Sequence, residues 1–375
     1  MSAQRSVPFF DYPRVFTDDE EALIRIFKGV GSRGAFIMQQ ELQDFETQLA
    51  KFTGAKYSVG VANATDGLEL AWMTVGLQPG DEVIISSHTM LATASSVVIA
   101  GGTPVPVDIG PDNLLDPDAA AAAIGPRTVG IMPTQLNGRT CNMTPILDLV
   151  NRNGLVLIED SAQALGARFG AQHAGTFGRA GAFSFFPAKV LGSLGDGGAI
   201  VTDSREIADR LYQLHDHGRD QEGNQVSWGR NSRLDNLQAA FLSHRLDSYG
   251  DVIARRREVA SAYQEQLGNL AQLQLPPAPT DGPHFDVYQN YELQADDRDG
   301  LRQHLRNCGI GTLIQWGGKA IHQWEGLGFS CTLPRVERFF ERCIMLPMNT
   351  FISDDDVDYI CESVRSFYNS GSASR

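Results

Sequence analysis

Residues 154–163 read Gly154-Leu155-Val156-Leu157-Ile158-Glu159-Asp160-Ser161-Ala162-Gln163. Four consecutive apolar residues between a glycine and two acids have the length and composition of a fully buried strand, as parallel sheets contain. A carboxylate at the end of such a strand lies at the rim where open α/β sheets bind ligands. Outward from this stretch, residues 55–200 alternate β-rich runs with helical ones. Strands are expected over Tyr57–Ala62, Glu82–Ser86, Thr103–Asp108, Thr128–Pro133, Leu155–Glu159, Ala180–Phe185 and Ala199–Thr202. Helices are expected over Ala64–Gly76, Thr89–Ala100, Pro117–Ala123 and Pro145–Asn153. This alternation predicts an α/β fold, a mostly parallel sheet with helices on both faces.

Upstream, residues 17–51 carry helical periodicity with a glycine-rich break at Gly29–Gly34. Downstream, Arg205–Leu214 continues as helix, and His215–Gly229 has the polar, glycine-bearing profile of a long functional loop. One long helix is expected from Arg233 to about Leu267. Strand, helix and strand follow over Val287–Ala295, Asp299–Cys308 and Gly311–Gln315, and Asp354–Tyr368 closes as an amphipathic helix. The expected division is a large domain over residues 1–250 and a smaller α+β C-terminal domain over 251–375.

Composition narrows the function classes. With 375 residues, 42% hydrophobic and 20% charged, the chain is ordinary globular material. A net charge of −14 speaks against a nucleic-acid surface, which needs a basic footprint. No apolar run approaches the roughly 18 residues of a membrane helix, and Met1–Pro8 lacks the apolar core of a signal peptide. The five cysteines form no CxxC pair, so reduced thiols, no metal site and a cytoplasmic location are expected.

Three constellations carry chemistry. Lys189 sits in Phe183-Ser184-Phe185-Phe186-Pro187-Ala188-Lys189-Val190-Leu191, and Gly195-Asp196-Gly197-Gly198 follows. Most lysines are solvated, but apolar surroundings depress an amine's pKa and leave it a nucleophile. Asp160 is the second. A strand-end acid beside such a lysine is what pyridoxal phosphate requires, the lysine forming the Schiff base and the acid keeping the ring nitrogen protonated. Asp160 with Gln163 three residues on also has the spacing of a helix cap. The third is Asn63-Ala64-Thr65-Asp66-Gly67, between a strand and a helix. Such a helix start binds phosphate through free amides, or is simply an N-cap.

Together with Pro79-Gly80-Asp81-Glu82-Val83 and Asn231-Ser232-Arg233-Leu234-Asp235, these motifs stand in the order and spacing of one family. From about residue 7 to 368 the chain resembles the DegT/DnrJ/StrS nucleotide-sugar aminotransferases. The resemblance implies a type I pyridoxal-phosphate fold and a homodimer with shared active sites. It also implies transfer of an amino group from L-glutamate to a keto sugar on a nucleotide diphosphate. By position, Lys189 is the Schiff-base and proton-shuttling lysine, and Asp160 the partner of the ring nitrogen. Gln163 contacts the phenolic oxygen, and Thr65, Asp66 and Ser184 hold the phosphate. Asn231 reaches the phosphate of the neighbouring subunit's cofactor.

Two positions depart from the family pattern. Met90 stands where an aromatic residue usually covers the cofactor ring, and a thioether can pack there instead. Gln135 replaces the usual histidine, which bears on sugar contacts. The polar and aromatic run from Gln315 through Trp316 and Lys319 to His322 is read as substrate-binding, against a structural loop. The Gly-Asp-Gly-Gly form after the lysine leans towards amination at the sugar's C3. An enzyme acting on amino acids only and a non-catalytic, cofactor-binding regulator are the competing readings.

Overall fold

The computed structural model describes residues 5–279 and 282–371; residues 1–4 of the N-terminal stretch read above lie outside the described residues. Seven strands form the main sheet, in the order Tyr57–Val61, Gly198–Thr202, Ala180–Ser184, Val156–Asp160, Thr128–Met132, Glu82–Ser86, Thr103–Val107. Gly198–Thr202 runs antiparallel to both its neighbours, and the remaining pairs are parallel. The seven strands expected between residues 55 and 202 all occur within a residue of the expected bounds, because buried runs such as Val83-Ile84-Ile85 favour no other element, whereas the strand expected over Val287–Ala295 begins only at Tyr291.

One face of the sheet is covered by the helix Ala64–Thr74, whose Leu68, Leu70 and Trp72 are fully buried. The Trp72 ring lies over Gly130, where a Cβ would come within 2.5 Å of the indole. That glycine is a packing requirement of the helix above it. Leu42, Phe45 and Leu49 of the helix Gln40–Thr53 belong to the core on the other face, with Phe183, Phe185 and Val201.

A second, antiparallel sheet joins Leu273–Gln274, Tyr291–Ala295 and Cys343–Leu346. Its core takes Leu301 and Leu305 from the helix Arg298–Asn307 and Val357, Ile360 and Val364 from the helix Asp354–Gly371. Val7 packs into this same core. The helix Tyr249–Leu267 joins the two regions, with Tyr249 and Ile253 in the core of the main sheet and Val259, Tyr263 and Leu267 in the second.

Two expectations are corrected. The helix expected over Arg233–Leu267 is two, Asn236–Leu246 and Tyr249–Leu267. Ser248 leaves helical geometry (φ −104°, ψ 9°), and Tyr249 drops into the core to donate its hydroxyl to the Leu165 carbonyl at 2.9 Å. Gly311–Gln315 is not a strand. Leu313 alone bridges to Met345, after which Trp316, Gly317 and Gly318 turn left-handed (φ 46°, 70° and 76°) and carry the chain away from the sheet.

Candidate active site

At the rim of the main sheet a cavity of about 580 Å³ opens where strands end and helices begin. Its wall includes Asn63–Asp66, Met90, Thr134, Asp160, Gln163, Ser184, Phe186, Lys189, Asp196, Gly197 and Trp316. Eight residues singled out from the sequence thus share one space: Thr65, Asp66, Met90, Asp160, Gln163, Ser184, Lys189 and Trp316.

Lys189 is carried on a loop tied down at many points. Its amide donates to the Phe186 carbonyl at 2.8 Å, and Ser193 donates backbone and hydroxyl protons to the Phe185 carbonyl at 2.8 and 2.7 Å. Gln289, just ahead of the second sheet's central strand, grips the loop from the other side. It accepts from the Val190 amide at 2.9 Å and donates to the Ala188 carbonyl at 2.8 Å. Burial lowers the Lys189 amine to about 8, only partly opposed by the charge of Asp160. A substantial neutral fraction near pH 7 to 8 makes it a nucleophile and base.

Asp160 is buried, which pushes its carboxyl upward; the Thr93 hydroxyl, the Ala162 amide and the Lys189 charge oppose this. The Thr93 hydroxyl donates to Oδ2 at 2.6 Å and the Ala162 amide to Oδ1 at 3.2 Å. That second bond is the local turn expected of a capping acid, so the cap and the ligand readings of Asp160 coexist. Glu159, one residue earlier, points to the opposite face. It accepts from the Gly175, Phe177 and Gly178 amides and from Gln135 Nε2.

The amide of Gln163 has a fixed orientation. Its Oε1 accepts from the Asn137 amide at 2.9 Å and, at 3.4 Å, from Asn290 Nδ2. Nitrogen and oxygen are thereby distinguished, and the NH₂ is left to donate elsewhere. Asn137 (φ 56°) is held in turn by its Nδ2 on Glu292 at 2.6 Å and by Gln315 Nε2 on its Oδ1 at 2.9 Å.

At the helix start, Asn63 Oδ1 caps the Asp66 amide at 2.9 Å, while the first two amides of the helix, of Ala64 and Thr65, have no helical acceptor. Gly198 lies so close that a Cβ there would meet the Asn63 carbonyl carbon at 2.6 Å and the Ala64 nitrogen at 2.8 Å. Gly198, the last residue of the Gly-Asp-Gly-Gly turn, therefore serves close approach to this helix start. The Ser184 hydroxyl accepts from the Phe186 amide at 3.3 Å and keeps its proton for another acceptor. A cavity with a nucleophilic amine, a buried acid, an oriented amide and an anion-ready helix end fits pyridoxal phosphate.

Four residues singled out from the sequence lie elsewhere. Gln315 is buried and serves Asn137. His322 is buried between the Ser87 hydroxyl (2.7 Å) and Glu337 (3.0 Å). Lys319 stands over the Trp324 ring, 5.0 Å from its centroid. Asn231 is exposed, its backbone bridged to Asp216, and does not line this chain's own cavity. Gln135 is also buried against Glu159 and takes no place in the cavity wall. Thr93, Thr134, Asn137 and Phe186 were not singled out; the i, i+4 spacing of Thr89 and Thr93 was the signal available for one of them.

A lysine of lowered pKa facing a strand-end acid on a doubly covered, mostly parallel sheet is an arrangement that suits pyridoxal-phosphate chemistry. The chain belongs to the DegT/DnrJ/EryC1/StrS aminotransferase family, whose model matches residues 17–365. It is 35% identical over 371 residues to a dTDP-3-amino-3,4,6-trideoxy-α-D-glucose transaminase of Streptomyces venezuelae, covering 96% of each chain. A pleiotropic regulatory protein of Geobacillus stearothermophilus is 33% identical, over 97% of this chain and 99% of its own. Among solved structures, S. venezuelae DesV in complex with a ketimine intermediate superposes with a TM-score of 0.93 at 34% identity, over 96% of this chain and 98% of that one.

Proposed function

We propose that the protein transfers an amino group from L-glutamate to the keto group of a nucleotide-diphosphate-linked deoxysugar, at C3, using pyridoxal phosphate. The observation that carries this is Lys189, held at about 8 in the same cavity as Asp160 and the Asn63–Asp66 helix start. Bound there, pyridoxal phosphate supplies an electron sink for the carbon that gains or loses the amine. Lys189 would hold the cofactor covalently and, once displaced, its amine would serve as the base and acid at the reacting carbon. Asp160 holds the ring nitrogen's proton, the Gln163 NH₂ donates to the phenolic oxygen, and the Thr65 amide and Ser184 hydroxyl hold the phosphate, with Asp66 beside them. Met90 and Trp316 are apolar walls against which ring and sugar pack.

C3 is supported by the Gly195–Gly198 form and by the transaminase relative, whose name carries a 3-amino sugar. A homodimer completes the site in this proposal, with Asn231 serving the neighbouring cavity. The exposed Met90, Phe186 and Trp228 suit burial by a second copy. We also propose the division into residues 1–250 and 251–375, and a cytoplasmic location; among the described residues no helix is long and apolar enough to cross a membrane.

The test is an absorbance spectrum of the protein loaded with pyridoxal phosphate, before and after L-glutamate. Conversion to the pyridoxamine form is expected, followed by its reversal with a 3-keto nucleotide sugar. Conversion by glutamate but by no keto sugar would favour an enzyme of amino acids. The regulatory name of one relative favours a second reading, a cofactor-binding regulator. A bound cofactor indifferent to glutamate would support that reading and sink the first.

A further inference from the structure

Asp160 is the end of a chain of hydroxyls. Its Oδ2 accepts the Thr93 proton at 2.6 Å; Thr93 Oγ1 is 2.5 Å from Thr89 Oγ1, and Thr89 Oγ1 is 2.7 Å from Thr134 Oγ1. None of the four residues is more than 5% exposed. A hydroxyl has one proton to donate. Thr93 gives its proton to the carboxylate, so in its bond with Thr89 it must accept. Thr89 has then used its own proton on Thr93, so Thr134 must donate to Thr89. Direction is fixed along the whole chain, from the cavity wall at Thr134 to the acid. Bonds so aligned in a low-dielectric interior polarise one another.

We propose that Thr134, Thr89 and Thr93 act as a one-way relay that holds Asp160 as an ionised acceptor, and that these threonines are positioning residues for it. The inference rests on reading Asp160 as the partner of the cofactor's ring nitrogen. A proton on Oδ2 would meet the Thr93 hydroxyl head-on and reverse or break every bond upstream. The relay therefore works against protonation at Oδ2, the oxygen it serves, and so against one of the two neutral forms that burial alone favours. Among the described residues, Lys189 is the charged side chain acting on Asp160 from the facing loop. Glu159 is turned to the other face and taken up by backbone amides. The relay's sources are separate elements: the segment before the helix Leu91–Ile99, its first turn, and the end of Thr128–Met132.

The test uses the protein loaded with pyridoxal phosphate and the variants Thr93→Val, Thr89→Val, Thr134→Val and the Thr89→Val/Thr93→Val pair. Three quantities are read: cofactor dissociation constant, the pH midpoint of the visible band of the lysine-linked cofactor, and kcat. Thr93→Val should weaken cofactor affinity about tenfold, as loss of a bond to a charged group does. It should also move the band's midpoint upward. A less stabilised carboxylate takes more of the proton it shares with the ring, the ring loses positive charge, and the lysine-linked nitrogen keeps its own proton to higher pH.

Thr93→Ser should restore both quantities. Effects should fall in the order Thr93, Thr89, Thr134, and the double variant should be no worse than Thr93→Val, because the bonds lie in series. Additive effects, an inverted order, or changes confined to melting temperature would overturn the relay. Should Thr93→Val fail to fold, Thr89→Val, which does not touch Asp160, carries the same test. Asp160→Asn separates the two claims. If it leaves the midpoint unmoved, the reading of Asp160 falls; if it shifts the midpoint while Thr93→Val does not, the relay alone falls.

Discussion

Glu159 and Asp160 are neighbours on one strand, both buried, and they live in different worlds. Glu159 meets four N–H donors: Phe177 and Gly178 on one oxygen, Gly175 and Gln135 on the other. Asp160 meets one amide and one hydroxyl, and faces a cavity that also holds a lysine. Burial raises the pKa of both carboxyls. A buried acid with every lone pair taken is a structural staple, closing the 175–178 turn against the sheet. A buried acid with capacity left over is available to a ligand.

The sharpest way to break this comparison starts with the lysine that distinguishes the two sides. Lys189→Ala should lower turnover by about a thousandfold or more, the scale of a lost acid–base group, while melting temperature holds or rises. Retained turnover would detach the cavity from the chemistry. Next comes the pair itself. Asp160→Asn should cost about a hundredfold or more in kcat with the fold intact. Glu159→Gln should instead cost about 2–4 kcal/mol of stability, because a donor NH₂ then faces other donors. If urea denaturation and kinetics give the reverse pattern, the division of labour is wrong.

A third measurement follows the proton on Lys189. Rates of cofactor uptake by the apoprotein should climb with pH around a midpoint near 8, as the amine becomes neutral. Apoprotein stability, taken relative to Lys189→Met, should rise between about 8 and 10.5. Over that window the unfolded lysine still holds its proton and the folded one has released it. A flat difference would mean that Lys189 is solvated. Smaller still is Gln315→Ala, expected to raise the KM for either substrate only a few fold by loosening Asn137 behind Gln163. Lys319→Ala should be near neutral, since an exposed cation–π contact contributes about 0.5–1 kcal/mol at most.

The main sheet could be read from the sequence because buried strands leave a periodic, apolar record. Lys189 and Asp160 could be read because each is a polar residue in an apolar frame, which is unusual enough to demand a reason. Side-chain direction left no such record. Gln315 and Trp316 are adjacent, yet one is buried on Asn137 and the other lines the cavity. What separates them is the left-handed turn beginning at Trp316, a conformation that its residue type does not advertise. His322 reads as a polar group in a loop until Ser87 and Glu337, 235 and 15 residues away, enclose it. The break at Ser248 is equally hidden, since it depends on where Tyr249 finds its core.

The one strand of the main sheet that runs against its neighbours, Gly198–Thr202, has a consequence for how such a protein changes over generations. Ser184 and Gly198 are register partners, so the lysine-bearing loop leaves and re-enters the sheet at the same rung. A loop closed at its root is a cassette. Its contents can be exchanged without shifting any strand by a residue. Altering the chemistry at position 189 therefore leaves the scaffold's reading frame untouched, and new activities can be tried on an old frame one loop at a time.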